Sequence, residues 1–136
     1  MRVKILMEPV PKGRPRHAKN GRIYTPQKTK RAELIISNHV KMRMLETGTK
    51  KITGAVDLGI LFTMGIPRSW SQKKRDEYTD KPCEKSTDLD NLIKLCADGM
   101  NHSGIWDDDA QVCRLNAEMI WGIEPSVIIM VIPWED

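Results

Sequence analysis

The apolar residues of this 136-residue chain switch between a two-residue repeat and a helical repeat, and the order of the switches restricts the fold more than any other feature. Residues 2–8 (RVKILME) alternate like a short strand and stop at Pro9 and Pro11. A helical stripe follows: Ala32, Ile35, Ile36, Val40, Met44 and Leu45. Thr25 is its expected N-cap, Pro26 its first residue and Gly48 its terminator. Residues 53–65 read as a second strand, with Gly54 and Gly59 as weak points. Leu89, Leu92, Ile93, Cys96 and Met100 then mark a second helix over 88–102, with Thr87 as N-cap. Residues 111–121 and 126–133 read as two strands joined through Gly122–Pro125 as a hairpin. The order β-α-β-α-β-β predicts one α+β domain over 1–136, with a mixed four-stranded sheet and helices packed on one face.

Two polar stretches interrupt this order. Positions 12–31 hold eight Lys/Arg, one His and no acid. Gly, Pro and Asn-Gly make this a loop with a small hairpin at Asn20-Gly21. Ile23 and Tyr24 within it are expected to staple the loop onto the first helix. Residues 66–86 are a polar connector in which SQKKRDEY suits a short helix.

Charge divides the chain. Residues 1–68 carry 15 Lys/Arg and 4 Asp/Glu, a balance of +11, whereas residues 69–136 carry 7 and 14, a balance of −7. The net +4 hides a basic half and an acidic half, which invite two different jobs. Other classes drop out. No apolar run approaches the roughly 18 residues of a membrane span. MRVKILMEPVPKGRPR lacks the apolar core of a secretory signal. Cys83, Cys96 and Cys113 form no zinc-type spacing, and an odd count fits a reducing cytoplasm. His17, His39 and His102 are too scattered for a histidine-based nuclease.

The acids gather in Thr87-Asp88-Leu89-Asp90-Asn91-Leu92-Ile93-Lys94 and in Trp106-Asp107-Asp108-Asp109-Ala110-Gln111. Hard divalent cations such as Mg²⁺ prefer carboxylate oxygens and keep waters for substrate contacts. Two carboxylates at a helix start and one or two from a later turn suit such a site, provided the return loop folds back. Each cluster equally suits a cap or a solvated turn. Lys94 and Asp98 follow Asp90 at four-residue steps, the spacing of a salt-bridge ladder or of a cation set beside a phosphate.

The stretch TDLDNLIKLCADGMNHSGIWDDDAQV closely resembles the RusA family of Holliday-junction resolvases. Asp88, Asp90, Asn91, Leu92, Lys94 and Asp98 match its pattern in order, as do Gly104, Trp106, Asp108, Asp109, Ala110, Gln111 and Val112. PKGRPR looks like the start of phage and prophage members. The resemblance implies a homodimeric, Mg²⁺-dependent endonuclease that nicks four-way DNA junctions in recombination and repair, with Mn²⁺ as a substitute metal. It implies Asp88, Asp90 and Asp109 as metal ligands and Lys94 as the essential cation. Asn91, Asp98 and Asp108 become outer groups, with Asn91 and Asp98 orienting Asp90 and Lys94 and with Trp106 as a wall of the site. Lys12, Arg14, Arg16, Lys19, Arg22, Lys28, Lys30 and Arg31 are then the DNA-binding cations. No membrane and no small-molecule cofactor are expected. Other branched substrates, such as flaps or forks, and a DNA-binding protein that no longer cuts are the alternatives.

Overall fold

The computed structural model describes residues 1–84 and 87–135. Lys85 and Ser86, at the end of the 66–86 connector, lie outside the described residues. The strands are β1 (Arg2–Ile5), β2 (Arg16–His17), β3 (Ile23–Tyr24), β4 (Val56–Gly65), β5 (Val112–Gly122) and β6 (Ser126–Pro133). The helices are α1 (Gln27–Thr47), α2 (Gln72–Tyr78) and α3 (Leu89–Asn101). A single 3₁₀ turn, Asp109–Gln111, leads into β5. This is the expected α+β fold: a mixed four-stranded sheet with the two long helices packed together against it. Among the described residues no helix is long and apolar enough to cross a membrane.

The strand order is β1-β6-β4-β5, with β4 and β5 parallel and the other pairs antiparallel. The expected β5–β6 hairpin does not form, because β4 lies between those strands. Hydrophobicity explains the sorting. β4 and β6 are the richest in apolar residues and take the two central places. β5, with Arg114, Asn116 and Glu118, takes an edge. The link from β5 to β6 therefore passes over the end of β4. Gly122 makes that passage possible, since a Cβ there would lie 2.3 Å from Thr63 Cγ2.

One face of the sheet is dry. Val56, Leu58, Ile60, Phe62 and Met64 of β4 are all buried, and with Val3, Ile5, Val127, Ile129 and Val131 they meet the helices. α1 contributes Ala32, Ile36 and Val40, and α3 contributes Leu92, Leu95, Cys96 and Met100. Ile35 and Leu45 leave the expected stripe and face solvent, because the contact line on α1 is narrower than a full apolar face.

Both long helices start one residue later than expected. Pro26, with ψ 143°, stays extended and is the N-cap of α1, so Thr25 is not. Asp88, at φ −84° and ψ 131°, is the N-cap of α3 in place of Thr87. Gly48 terminates α1 as expected, and Ser71 caps the short helix of the connector by accepting from Lys74 N–H. Beyond α2 the connector runs along the β5 edge, with Cys83 N–H donating to the Met119 carbonyl at 2.9 Å.

Candidate nucleic-acid interface and acidic site

α3 presents the first acidic group. Its buried side, Leu92, Leu95, Cys96, Gly99 and Met100, fixes the helix on the core, so its polar side is held rigidly outward. Asp88 and Asp90 stand exposed at the N-terminal end, and exposed Lys94 lies one turn beyond Asp90. Asp88 occupies the cap position but makes no side-chain capping bond. Its backbone carbonyl receives Asn91 and Leu92 N–H, which leaves the carboxylate available.

The second acidic group is sorted by its bonds. Asp107 is ion-paired with Lys51. Asp108 forms a capping box with Gln111: each side chain accepts from the other residue's backbone N–H. Gln111 also donates to the Ile52 and Gly54 carbonyls, both at 2.9 Å, and so ties the turn to the start of β4. Asp109 alone among the three makes neither an ion pair nor a capping bond among the described residues. It accepts from Asn101 Nδ2 at 3.3 Å, and Asn101 Oδ1 in turn accepts the indole N–H of Trp106 at 2.7 Å. Trp106 is buried, so it offers no exposed stacking surface and backs Asn101 and Asp109 from the core. Asp108, expected as an outer metal group, is a structural cap because the Asp-x-x-Gln spacing closes the box.

The two acidic groups stand at opposite ends of α3. The helix has 13 residues, about 20 Å at the usual rise per residue. Asp88 and Asp90 lie at its start, and Asp109 is bonded to its last residue. Among the described residues no three His, Cys, Asp or Glu side chains gather as a metal cage. Carboxylates are the donors a hard divalent cation prefers, and within one chain these three fall into two separate groups.

The basic loop meets the first half. Lys12 N–H donates to the Asn91 carbonyl at 2.9 Å, which places the loop on the first turn of α3. The Lys12 ammonium is ion-paired with Glu33 of α1 and with Asp98 of α3, the latter at 2.9 Å. Burial pulls its pKa down, but the hydrogen bonds and charges of Glu33 and Asp98 outweigh this and hold it above the ordinary lysine value. Lys12 is therefore no free phosphate ligand, and Asp98 serves Lys12 where Lys94 was expected. The cause is the tertiary contact that brings the loop between the two helices. Arg14, Arg16, Lys19, Arg22, Lys28, Lys30 and Arg31 are exposed and in no ion pair among the described residues.

β2 and β3 form the expected hairpin at Asn20-Gly21, pairing Arg16 with Tyr24 and His17 with Ile23. Ile23 is 63% and Tyr24 45% exposed, so they do not staple the loop to α1. They stand among the cations. Sequence reasoning did not single out Glu33 or Asn101. Neither carries a local signal, because each acts through a contact made only in the folded chain. The Asp108–Gln111 box was missed as well, although its Asp-x-x-Gln spacing is the local signal that could have found it.

Exposed cations on a loop bonded to the helix end that carries exposed carboxylates are the arrangement expected of a domain that handles a polyanion next to an acidic centre, as nucleic-acid-processing proteins do. A family model described as endodeoxyribonuclease RusA matches residues 7–132, nearly the whole chain, and the chain belongs to the RusA endodeoxyribonuclease family. No curated protein matches it.

Proposed function

We propose that this protein cuts four-way DNA junctions as a homodimer, using Mg²⁺ bound by Asp88, Asp90 and Asp109. The observation that carries this reading is the sorting of the acids. Asp107 and Asp108 are engaged in structural bonds, while Asp88, Asp90 and Asp109 keep carboxylates available, and these are the positions that the family resemblance assigns to metal. The separation of Asp109 from the other two gives the dimer a chemical reason. Asp109 of the partner subunit completes the set begun by Asp88 and Asp90, and a twofold axis makes two such sites. A four-way junction has matching twofold symmetry, so two strands of like polarity are nicked.

Arg14, Arg16, Lys19, Arg22, Lys28, Lys30 and Arg31 hold the phosphates of the arms through contacts that position DNA without reading bases. Lys94 stands within one helical turn of Asp90, where its ammonium steadies the negative charge that grows on the phosphate during attack. Mg²⁺ held by Asp88, Asp90 and Asp109 would polarise a phosphate oxygen and make a water more acidic. Water adds to phosphorus, the bond to the 3′-oxygen breaks, and that oxygen takes up a proton. The products are a 5′-phosphate and a 3′-hydroxyl.

Subunit mixing tests both claims. D90N and D109N should each bind but not cut a synthetic four-way junction in Mg²⁺. Mixed and re-equilibrated, they should regain cutting, because one site of the mixed dimer then holds only native carboxylates. Continued inactivity of the mixture would place all three acids in one chain. Full activity of either single variant would remove its acid from the site. Comparison with flap, fork and linear duplex substrates fixes the substrate.

A further inference from the structure

We infer that Lys12 is a positioning residue that latches the basic loop onto the acidic end of α3 and does not itself contact DNA. The inference rests on the nuclease reading above and adds to it a residue that sets where the DNA-binding loop stands. Two helices, α1 and α3, converge on residues 12 and 13. The Lys12 backbone is bonded to Asn91, next in sequence to Asp90. Its side chain bridges Glu33 of α1 and Asp98 of α3. Gly13 N–H donates to the Oγ1 of buried Thr29 at 3.1 Å. Arg14 and Arg16 follow at once, so the register of the loop on α3 determines which phosphates they reach.

Energetics favour this arrangement over a phosphate contact. The Lys12 side chain is 19% exposed and its partners Glu33 and Asp98 are 14% and 27% exposed. Withdrawing the ammonium toward DNA would leave two poorly hydrated carboxylates without a counter-charge and facing a polyanion. The seven exposed cations carry no such penalty. The loop otherwise has little to hold it, since β2 and β3 are two residues each and both are exposed.

The test uses E33Q and D98N, with K12M as a third variant. If Lys12 touches phosphate, removing its acidic partners frees it and tightens junction binding. If Lys12 is the latch, E33Q and D98N weaken cutting as K12M does, and the K12M/E33Q pair is no worse than K12M alone. A second readout needs no DNA: trypsin should nick after Arg16, Lys19 and Arg22 about tenfold faster in E33Q and D98N, because nicking follows the population of the opened loop. Thermal unfolding of the same samples reports whether the rest of the fold stays intact. Tighter junction binding with unchanged nicking overturns the latch. Faster nicking in variants of a parent that leaves junctions uncut upholds the latch and overturns the nuclease reading alone.

Discussion

The Asn101 side-chain amide donates to the Asp109 carboxylate at 3.3 Å while its oxygen accepts the Trp106 indole N–H at 2.7 Å. One amide thus fixes both the carboxylate at the end of α3 and the orientation of a buried tryptophan. In Asn101→Ala the Trp106 N–H is left buried without an acceptor, at a cost of about 1–3 kcal/mol. Asp109 also loses its orienting donor, and on the metal-binding role proposed for it, loss of such an outer partner should lower cleavage about 10–100-fold. Urea unfolding measures the first effect and junction cleavage the second. Unchanged cleavage would mean that Asp109 needs no orienting partner.

Gly99 lies where α3 packs tightly against α1. A Cβ there would lie 3.0 Å from the Glu33 carbonyl oxygen and 3.1 Å from Ile36 Cβ. Alanine gains about 1 kcal/mol of helix propensity over glycine. Overpacking against a backbone atom and a β-branched carbon costs about 1–3 kcal/mol, and neither neighbour can swing away. Gly99→Ala should therefore lower the urea midpoint. It should also speed tryptic nicking of the basic loop, because Glu33 is displaced from Lys12. A stabilised variant would show that the two helices separate easily.

Much of this fold was legible because its signals are local. The α3 stripe, the end of α1 at Gly48, the Asn20-Gly21 hairpin and the short connector helix each depend on residues a few positions apart. The insertion of β4 between β5 and β6 was not legible, because strand partners are chosen by competition for the dry centre of the sheet. The same holds for the site. Asp88, Asp90 and Asp109 stood out through the family pattern, and the structure separates Asp109 from Asp107 and Asp108 by the bonds each makes. Lys12 was grouped with the DNA-binding cations because Glu33 and Asp98 reach it only in the folded chain. Ile23 and Tyr24 looked like loop anchors, since sequence alone does not reveal that an apolar pair stays in solvent.

Arg14 and Arg16 are exposed on the loop that Lys12 holds. Each phosphate contact contributes about 0.9 to the slope of log K against log salt on duplex DNA. The double variant Arg14→Gln, Arg16→Gln should therefore flatten that slope by about 1.8. Cutting at saturating protein should persist in part, since the acidic residues and Lys94 are intact. Fluorescence anisotropy of a labelled junction across a salt series gives the slope. A slope equal to the parent's would place the DNA elsewhere on the surface.

Cys96 lies on the buried side of α3, and burial pushes its thiol from the ordinary 9.0 up to about 12. The folded state therefore keeps this proton over a range in which the unfolded chain loses it. The contribution of Cys96 is fully present below pH 9 and is lost as pH rises towards about 12. Lys12, also held above its ordinary value of 10.5, acts in the same direction but begins at higher pH. Cys96→Ala should be less stable than the parent at neutral pH, because a buried group is lost. Its stability should also fall less steeply between pH 9 and 12. Urea unfolding at half-unit pH steps yields both curves. Parallel curves across that range would show that the thiol ionises as easily in the folded protein as in the unfolded chain.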